Sequence, residues 1–196
     1  MLTKAERTKQ FILDTAAPLY NQKGISGVNV DDVLAATKLT KGCLYSHFEN
    51  KEDLTEQVID LLLKRVTEKL KAEISKGKTA KSKIFHLLDF HKNPIETFVS
   101  GGCPIFNTAV DADDNHPLLK EKVAAVFRAG QENLVNILKE GIQAGEFTDK
   151  LDPIVFAFKL IACLEGGMVM CRVMNTTKPM HNLIKSLKLE LEQYAL

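Results

Sequence analysis

The sequence predicts an all-α protein, with an N-terminal three-helix unit built around a helix-turn-helix and a larger helical domain behind it, about nine helices together. Three observations predict this. Apolar residues recur with the helical period along nearly the whole chain, and no segment alternates as a strand would. A capping residue followed three positions later by an acid marks successive helix starts. Pro104, Pro117, Pro153 and Pro179 all stand near expected helix starts, where a missing N–H costs nothing.

The first helix is expected from about Lys4 to Lys23, with Phe11, Ile12, Ala16, Leu19 and Tyr20 on one side and Gly24 as its stop. Pro18 lies inside it and predicts a kink. A second, short helix starts at the cap Asn29, with Asp32 as capping-box partner and Val28 and Val33 at the staple positions. Its apolar face continues through Leu34 and Ala36 or Thr37. The third runs from the cap Thr40 to Phe48, with Leu39 and Leu44 as staple. Asn50 caps a long fourth helix, striped by Leu54, Val58, Leu61, Leu62, Val66, Leu70 and Ile74, which fades in Ser75-Lys76-Gly77-Lys78. The remainder reads as helices over 80–99, 103–112, 117–144, 152–175 and 179–194, the first bent at Pro94. Residues 1–50 are therefore one domain, 51–76 a connecting helix, and 77–196 a second domain.

Composition narrows the function. A hydrophobic share of 45% supports a packed core, and a net charge of +1 argues against a protein that coats nucleic acid with its whole surface. Cys43, Cys103, Cys163 and Cys171 form no C-x-x-C pair and read as reduced thiols, so neither zinc nor any other metal or cofactor is expected. The charged N-terminus lacks the pattern of a secretory signal, and no run approaches the ~20 apolar residues of a membrane span. A soluble, cytoplasmic protein without membrane contact is the expectation.

Two short capped helices joined by Thr37-Lys38-Leu39 form a minimal helix-turn-helix, whose second helix would present its first turn to the major groove. Lys41 can reach a phosphate or a guanine edge, Gly42 lets the backbone approach the bases, and Cys43 and Tyr45 point away from the Leu44–Phe48 core face. His47 and Lys51 lie where side chains meet the sugar-phosphate backbone, and Lys4, Arg7 and Lys9 can add phosphate contacts. The DNA-binding set is thus Thr40, Lys41, Gly42, Cys43, Tyr45, His47 and Lys51.

The stretch GVNVDDVLAATKLTKGCLYSHFENKEDL, from Gly27 to Leu54, resembles the TetR family of bacterial transcriptional regulators. Thr40, Lys41, Gly42, Leu44, Tyr45, His47, Phe48, Lys51, Glu52 and Leu54 carry that resemblance, supported by Ala16-Ala17, Leu19-Tyr20 and Gly24 before it. It covers about the first quarter of the chain in motif and the rest in architecture. Two positions depart from the pattern. Many relatives have glycine at the turn where Lys38 stands, so Lys38 is expected to take a positive φ, or else to alter the turn slightly and add a phosphate contact. Cys43 occupies a variable position that often faces bases.

The resemblance implies that residues 77–196 bind a small-molecule effector and dimerise. Phe85, Leu88, His91, Phe98, Phe106, Phe127 and Met168 are the candidate effector pocket. Phe158, Ile161, Met180, Leu183, Ile184, Leu187 and Leu191, on the last two helices, are the candidate homodimer interface, with Gly166-Gly167 permitting close backbone approach. Asp111–His116 is expected to be a solvated loop rather than a cation site, since it lacks the glycine and terminal glutamate of a calcium loop.

The resulting expectation is a ligand-responsive repressor that binds a palindromic double-stranded operator as a homodimer. A transcriptional activator, or a TetR-like module that acts through protein contacts without DNA, is the alternative. An enzyme is not expected, because no nucleophile elbow, phosphate-binding glycine loop or His-Glu-x-x-His pattern occurs.

Overall fold

The computed structural model describes residues 3–196. Among these residues there are nine helices: α1 (Lys4–Lys23), α2 (Val30–Thr37), α3 (Lys41–Tyr45), α4 (Lys51–Ile74), α5 (Ala80–Phe90), α6 (Pro104–Asn115), α7 (Pro117–Gln143), α8 (Pro153–Val173) and α9 (Lys178–Glu192). The only extended pairing among them is a single antiparallel bridge between Phe147 and Ala195. The residues divide into two compact units. The first holds the chain up to Val66 together with Phe98–Ala124; the second holds Thr67–Thr97 and Ala125–Leu196.

In the first unit the local grammar is carried out as side-chain chemistry. Thr3 and Glu6 close a capping box on α1. Asn29 and Asp32 close one on α2, Asp32 N–H donating to Asn29 Oδ1 at 2.8 Å and Asn29 N–H to Asp32 Oδ2 at 2.9 Å. Each box satisfies two donors that a helix start leaves open. At α4 the reciprocal bond is shifted: Asp53 N–H donates to Asn50 Oδ1, but the Asp53 carboxylate takes the N–H of Glu49. Ile12, Ala16, Val28, Val33, Leu44, Phe48, Leu54 and Val58 form the core. The Tyr20 hydroxyl sits 2.9 Å from Thr55 Oγ1, tying α1 to α4, and its burial raises the phenol pKa above the ordinary value.

α1 runs from Lys4 to Lys23 as expected, with Pro18 inside it. Buried Ala16, Ala17 and Tyr20 on either side offset the missing hydrogen bond. α3 ends at Tyr45 rather than Phe48, although His47 and Phe48 still donate to the Leu44 carbonyl in a closing turn. The buried stripe of α4 runs through Thr55, Ile59 and Leu63 as well as Leu54, Val58, Leu62 and Val66, while Leu61, Leu70 and Ile74 are half-buried. Asp111–Asn115 belongs to α6 and is not a loop. Asp111 accepts the Ile25 N–H at 2.9 Å, which holds this stretch against the end of α1.

In the second unit, Ile84, Leu88, Leu138, Leu160, Leu164, Met180, Ile184, Leu187 and Leu191 make the core. The helix expected over 80–99 stops at Phe90, ten residues before the Gly101-Gly102 pair is reached being irregular or turn-like. Asn93 Oδ1 accepts from the N–H groups of Ile95 and Glu96, a local turn that competes with the helix, and Pro94 disfavours helical geometry at Asn93. The start of α5 is capped from elsewhere in the unit: both Glu146 oxygens accept, one from Ala80 N–H at 2.9 Å and one from Lys81 N–H at 3.1 Å. α8 is 21 residues long and meets the length and composition of a membrane span, which corrects the expectation that no run comes near one. Its apolar content serves two faces, since Phe156, Ala157, Leu160 and Leu164 enter the core while Val155 and Phe158 stay outside it. Lys159 on the same helix pairs with Glu190 of α9 at 2.6 Å.

Candidate nucleic-acid interface

α3 is only five residues long, so its position is set by its ends and one anchor. Leu44 is fully buried and fixes the face of the helix. At the start, Thr40 Oγ1 accepts the Cys43 N–H at 3.2 Å. Before it, Thr37 Oγ1 donates back to the Val33 carbonyl and receives the Leu39 N–H. Between these sits Lys38, at φ 58° and ψ 27°, with its N–H bonded to the Leu34 carbonyl. A left-handed backbone at a residue with a Cβ costs about 1–2 kcal/mol, so the abrupt turn between α2 and α3 is held against local strain.

This geometry puts Thr40, Lys41, Gly42 and Tyr45 at the surface and leaves Cys43, His47 and Lys51 half-buried. Lys41 Nζ lies 6.0 Å from the Tyr45 ring centroid, so the two longest exposed side chains of α3 share one side. A Cβ built on Gly42 meets nothing within 4 Å, leaving bare backbone at the first turn. Lys9 of α1 stacks on Phe48, its Nζ 5.2 Å from the ring centroid, which brings a further cation beside the end of this motif. Several other cations of the unit are paired with acids: Lys23 with Asp32, Arg65 with Asp14, Lys120 with Asp113, and Lys122 with Asp60 and Glu56. A short helix with an uncovered first turn, bordered by exposed cations, is suited to entering a groove between two phosphate chains.

Comparison with known proteins agrees with that geometry. Residues 12–58 match the model of the bacterial regulatory proteins of the tetR family, and residues 80–187 match that of the tetracyclin repressor-like C-terminal domain. A TetR-family transcriptional regulator from Cytophaga hutchinsonii is 34% identical, with a TM-score of 0.91 over 100% of this chain and 98% of that one. A TetR transcriptional regulator from Chloroflexus aurantiacus is 32% identical, with a TM-score of 0.94 over 99% of this chain and 98% of that one.

The chain belongs to the TetR family of bacterial transcriptional regulators.

It is also 23% identical, over 88% of its length and 86% of the relative's, to the HTH-type transcriptional repressor DhaR of Mycobacterium sp. (strain GP1). In this TetR-family regulator the seven DNA-site positions come together on and around α3. The seven candidate effector positions are drawn from both units. Phe98 and Phe106 belong to the first unit; Phe85, Leu88, His91, Phe127 and Met168 belong to the second. Leu88 is core, His91 and Met168 are buried, and Phe98 is exposed. Phe85 lies beneath the Lys188 ammonium at 4.6 Å, which itself pairs with Asp89. His91 Nδ1 is 2.8 Å from the Leu87 carbonyl, and burial holds the imidazole pKa below its ordinary value.

The TetR-family regulator's expected dimer surface needs a larger correction. Met180, Ile184, Leu187 and Leu191 of α9 lie in the interior of their own unit. Leu183 is half-buried, with its Cδ2 close to where a Cβ on Gly167 would stand. The stripe on α9 closes the chain's own core because an amphipathic helix buries its apolar side on the nearest apolar partner, here α8. Phe158 stays exposed, Ile161 half-buried, and with them Ile154, Val155, Val169, Met170 and Val173 leave an apolar outer side on α8. Sequence reasoning missed the polar grip on the end of α1 by Asn107 and Asp111. The paired Gly101-Gly102 was its one visible signal, and both take positive φ.

Proposed function

We propose that this protein is a repressor that binds a palindromic operator as a homodimer and releases it when a small molecule binds. The observation that carries the DNA reading is α3 itself: an anchored Leu44, a capped start at Thr40, and Lys41, Gly42 and Tyr45 uncovered on the outside. In the helix-turn-helix mode α3 lies in the major groove, with Thr40, Lys41, Cys43 and Tyr45 toward bases and nearby phosphates and with His47 and Lys51 on the backbone. The outer side of α8, led by Phe158, is the proposed dimer contact, since an exposed apolar stripe of this length is a liability in a monomer. The effector is proposed to bind within the second unit, which holds the buried His91 and Met168 and the half-buried Phe127. Repression is proposed by analogy with the relative DhaR, a transcriptional repressor.

The test is a Tyr45→Ala, Lys51→Ala double variant. It should keep its circular dichroism and oligomeric state while losing specific binding to the duplex that the wild-type chain enriches from a random-sequence pool. A variant that binds this duplex as tightly as wild type removes α3 from the interface.

A further inference from the structure

We infer that Lys38, the turn residue between α2 and α3, is a DNA-phosphate contact of the helix-turn-helix; the inference rests on the DNA-binding reading of α3. The first observation is the backbone. Lys38 holds φ 58° and ψ 27°, one of two non-glycine residues with positive φ among the described residues. Glycine would take this geometry without a Cβ penalty, so a lysine here is retained at a cost to the fold. A held strain of this kind points to what the side chain does.

The second observation is what the turn has left to offer. The Lys38 N–H is bonded to the Leu34 carbonyl, the Leu39 N–H to Thr37 Oγ1 and the Cys43 N–H to Thr40 Oγ1. These main-chain donors are committed inside the protein, and the exposed Lys38 ammonium is the group of this turn that remains for an anion. The third observation is charge placement. Lys23, Lys120, Lys122 and Arg65 of the same unit sit in ion pairs, whereas Lys38, like Lys41 and Lys51 of the same motif, is in none among the described residues. Its neighbours within four positions are Leu34, Ala35, Ala36, Thr37, Leu39, Thr40, Lys41 and Gly42, which include no acid. Lys38 thus lies two residues before the cap of the helix that enters the groove, and extends its cationic border beyond Lys41. An ammonium is a point charge on a flexible stem, suited to a phosphate oxygen and poorly suited to reading a base.

The experiment compares wild type, Lys38→Gly, Lys38→Gln and Lys38→Arg, each as the full chain. Binding is followed by fluorescence anisotropy against the pool-selected duplex and a scrambled duplex over a range of salt. Lys38→Gly and Lys38→Gln should weaken binding about threefold to tenfold on both duplexes and flatten the slope of log Kobs against log salt by about 0.9 per bound protomer. Lys38→Arg should restore both. Lys38→Gly should also melt no lower than wild type, because glycine accepts the turn, so it carries the test if Lys38→Gln folds poorly. An unchanged slope in Lys38→Gly overturns the inference. So does a loss confined to one base position, which would make Lys38 a base-edge contact. If these variants match wild type while the Tyr45→Ala, Lys51→Ala control loses the duplex, only the Lys38 contact falls; if the wild-type chain enriches no duplex, the DNA reading falls and takes Lys38 with it.

Discussion

Asn107 Nδ2 stands 3.0 Å from both the main-chain oxygen and the side-chain Oδ1 of Asn21, across 86 residues of sequence. Its amide also reaches the Gly101 carbonyl at 3.1 Å, while Asn21 Nδ2 donates to the carbonyls of Ser100 and Gly102. Asn21 is buried, so each of these bonds satisfies a group that water cannot reach. The last turn of the DNA-domain helix α1 is therefore held by side chains, and position 101 takes glycine because a Cβ there would lie 2.5 Å from the Asn21 carbonyl oxygen. Replacing Asn107 by alanine should lower stability by about 1–3 kcal/mol, because acceptors remain buried without their donor. Urea titration followed by circular dichroism measures this. A double variant with Asn21→Ala should lose less than the sum of the two single losses.

Gly42 separates folding from DNA binding. Alanine there meets nothing within 4 Å and favours a helix by about 0.5–1 kcal/mol over glycine. Gly42→Ala should melt at or above the wild-type temperature and yet bind the pool-selected duplex more weakly, by roughly tenfold, if backbone approaches the bases at this turn. Equal affinity would show that the groove leaves room at Gly42.

The outer side of α8 can be tested without touching the core. Phe158 is 63% exposed in the single chain. Phe158→Glu should leave helicity intact and raise the dimer dissociation constant roughly thirtyfold or more, the scale of an interface hot spot. Sedimentation of the variant at several concentrations reads this directly. Removing α9 is not an equivalent test, because Met180, Ile184, Leu187 and Leu191 are core residues and the truncated chain should unfold.

Gly141 is a packing position. A Cβ there would stand 2.6 Å from the Ala80 Cβ and 2.6 Å from two ring carbons of the buried Phe147. Gly141→Ala should cost about 1–3 kcal/mol despite its better helix propensity, since the ring has nowhere to go. A thermal melt that moves upward would contradict this.

His91 makes stability depend on pH. Burial lowers its pKa in the folded protein below the ordinary 6.5, opposed by the bond to the Leu87 carbonyl. The unfolded chain then binds more protons than the folded one between the two pKa values. Stability should be full above about pH 6.5 and fall as pH drops toward the folded pKa. A histidine replacement of similar size, His91→Gln, should flatten that limb of the urea midpoint against pH.

Much of the DNA-binding half was legible in the sequence because it is encoded locally. Asn29 with Asp32 and Thr40 with the Cys43 N–H are relations over three residues, and each occurs in the structure where the residue types favour it. Helix lengths were less legible where two local preferences compete, as at Asn93-Pro94, where a side-chain turn ends α5 early.

Which apolar face meets which partner was not local. α8 is apolar on both its inner and outer sides and α9 on one, and that pattern fits a core stripe and an interface stripe equally well. Only the tertiary structure assigned α9 to the core, and only it brought Asn107 and Asp111 to the end of α1. Burial and long-range hydrogen bonding depend on which elements become neighbours, and periodicity along one helix carries no record of that choice.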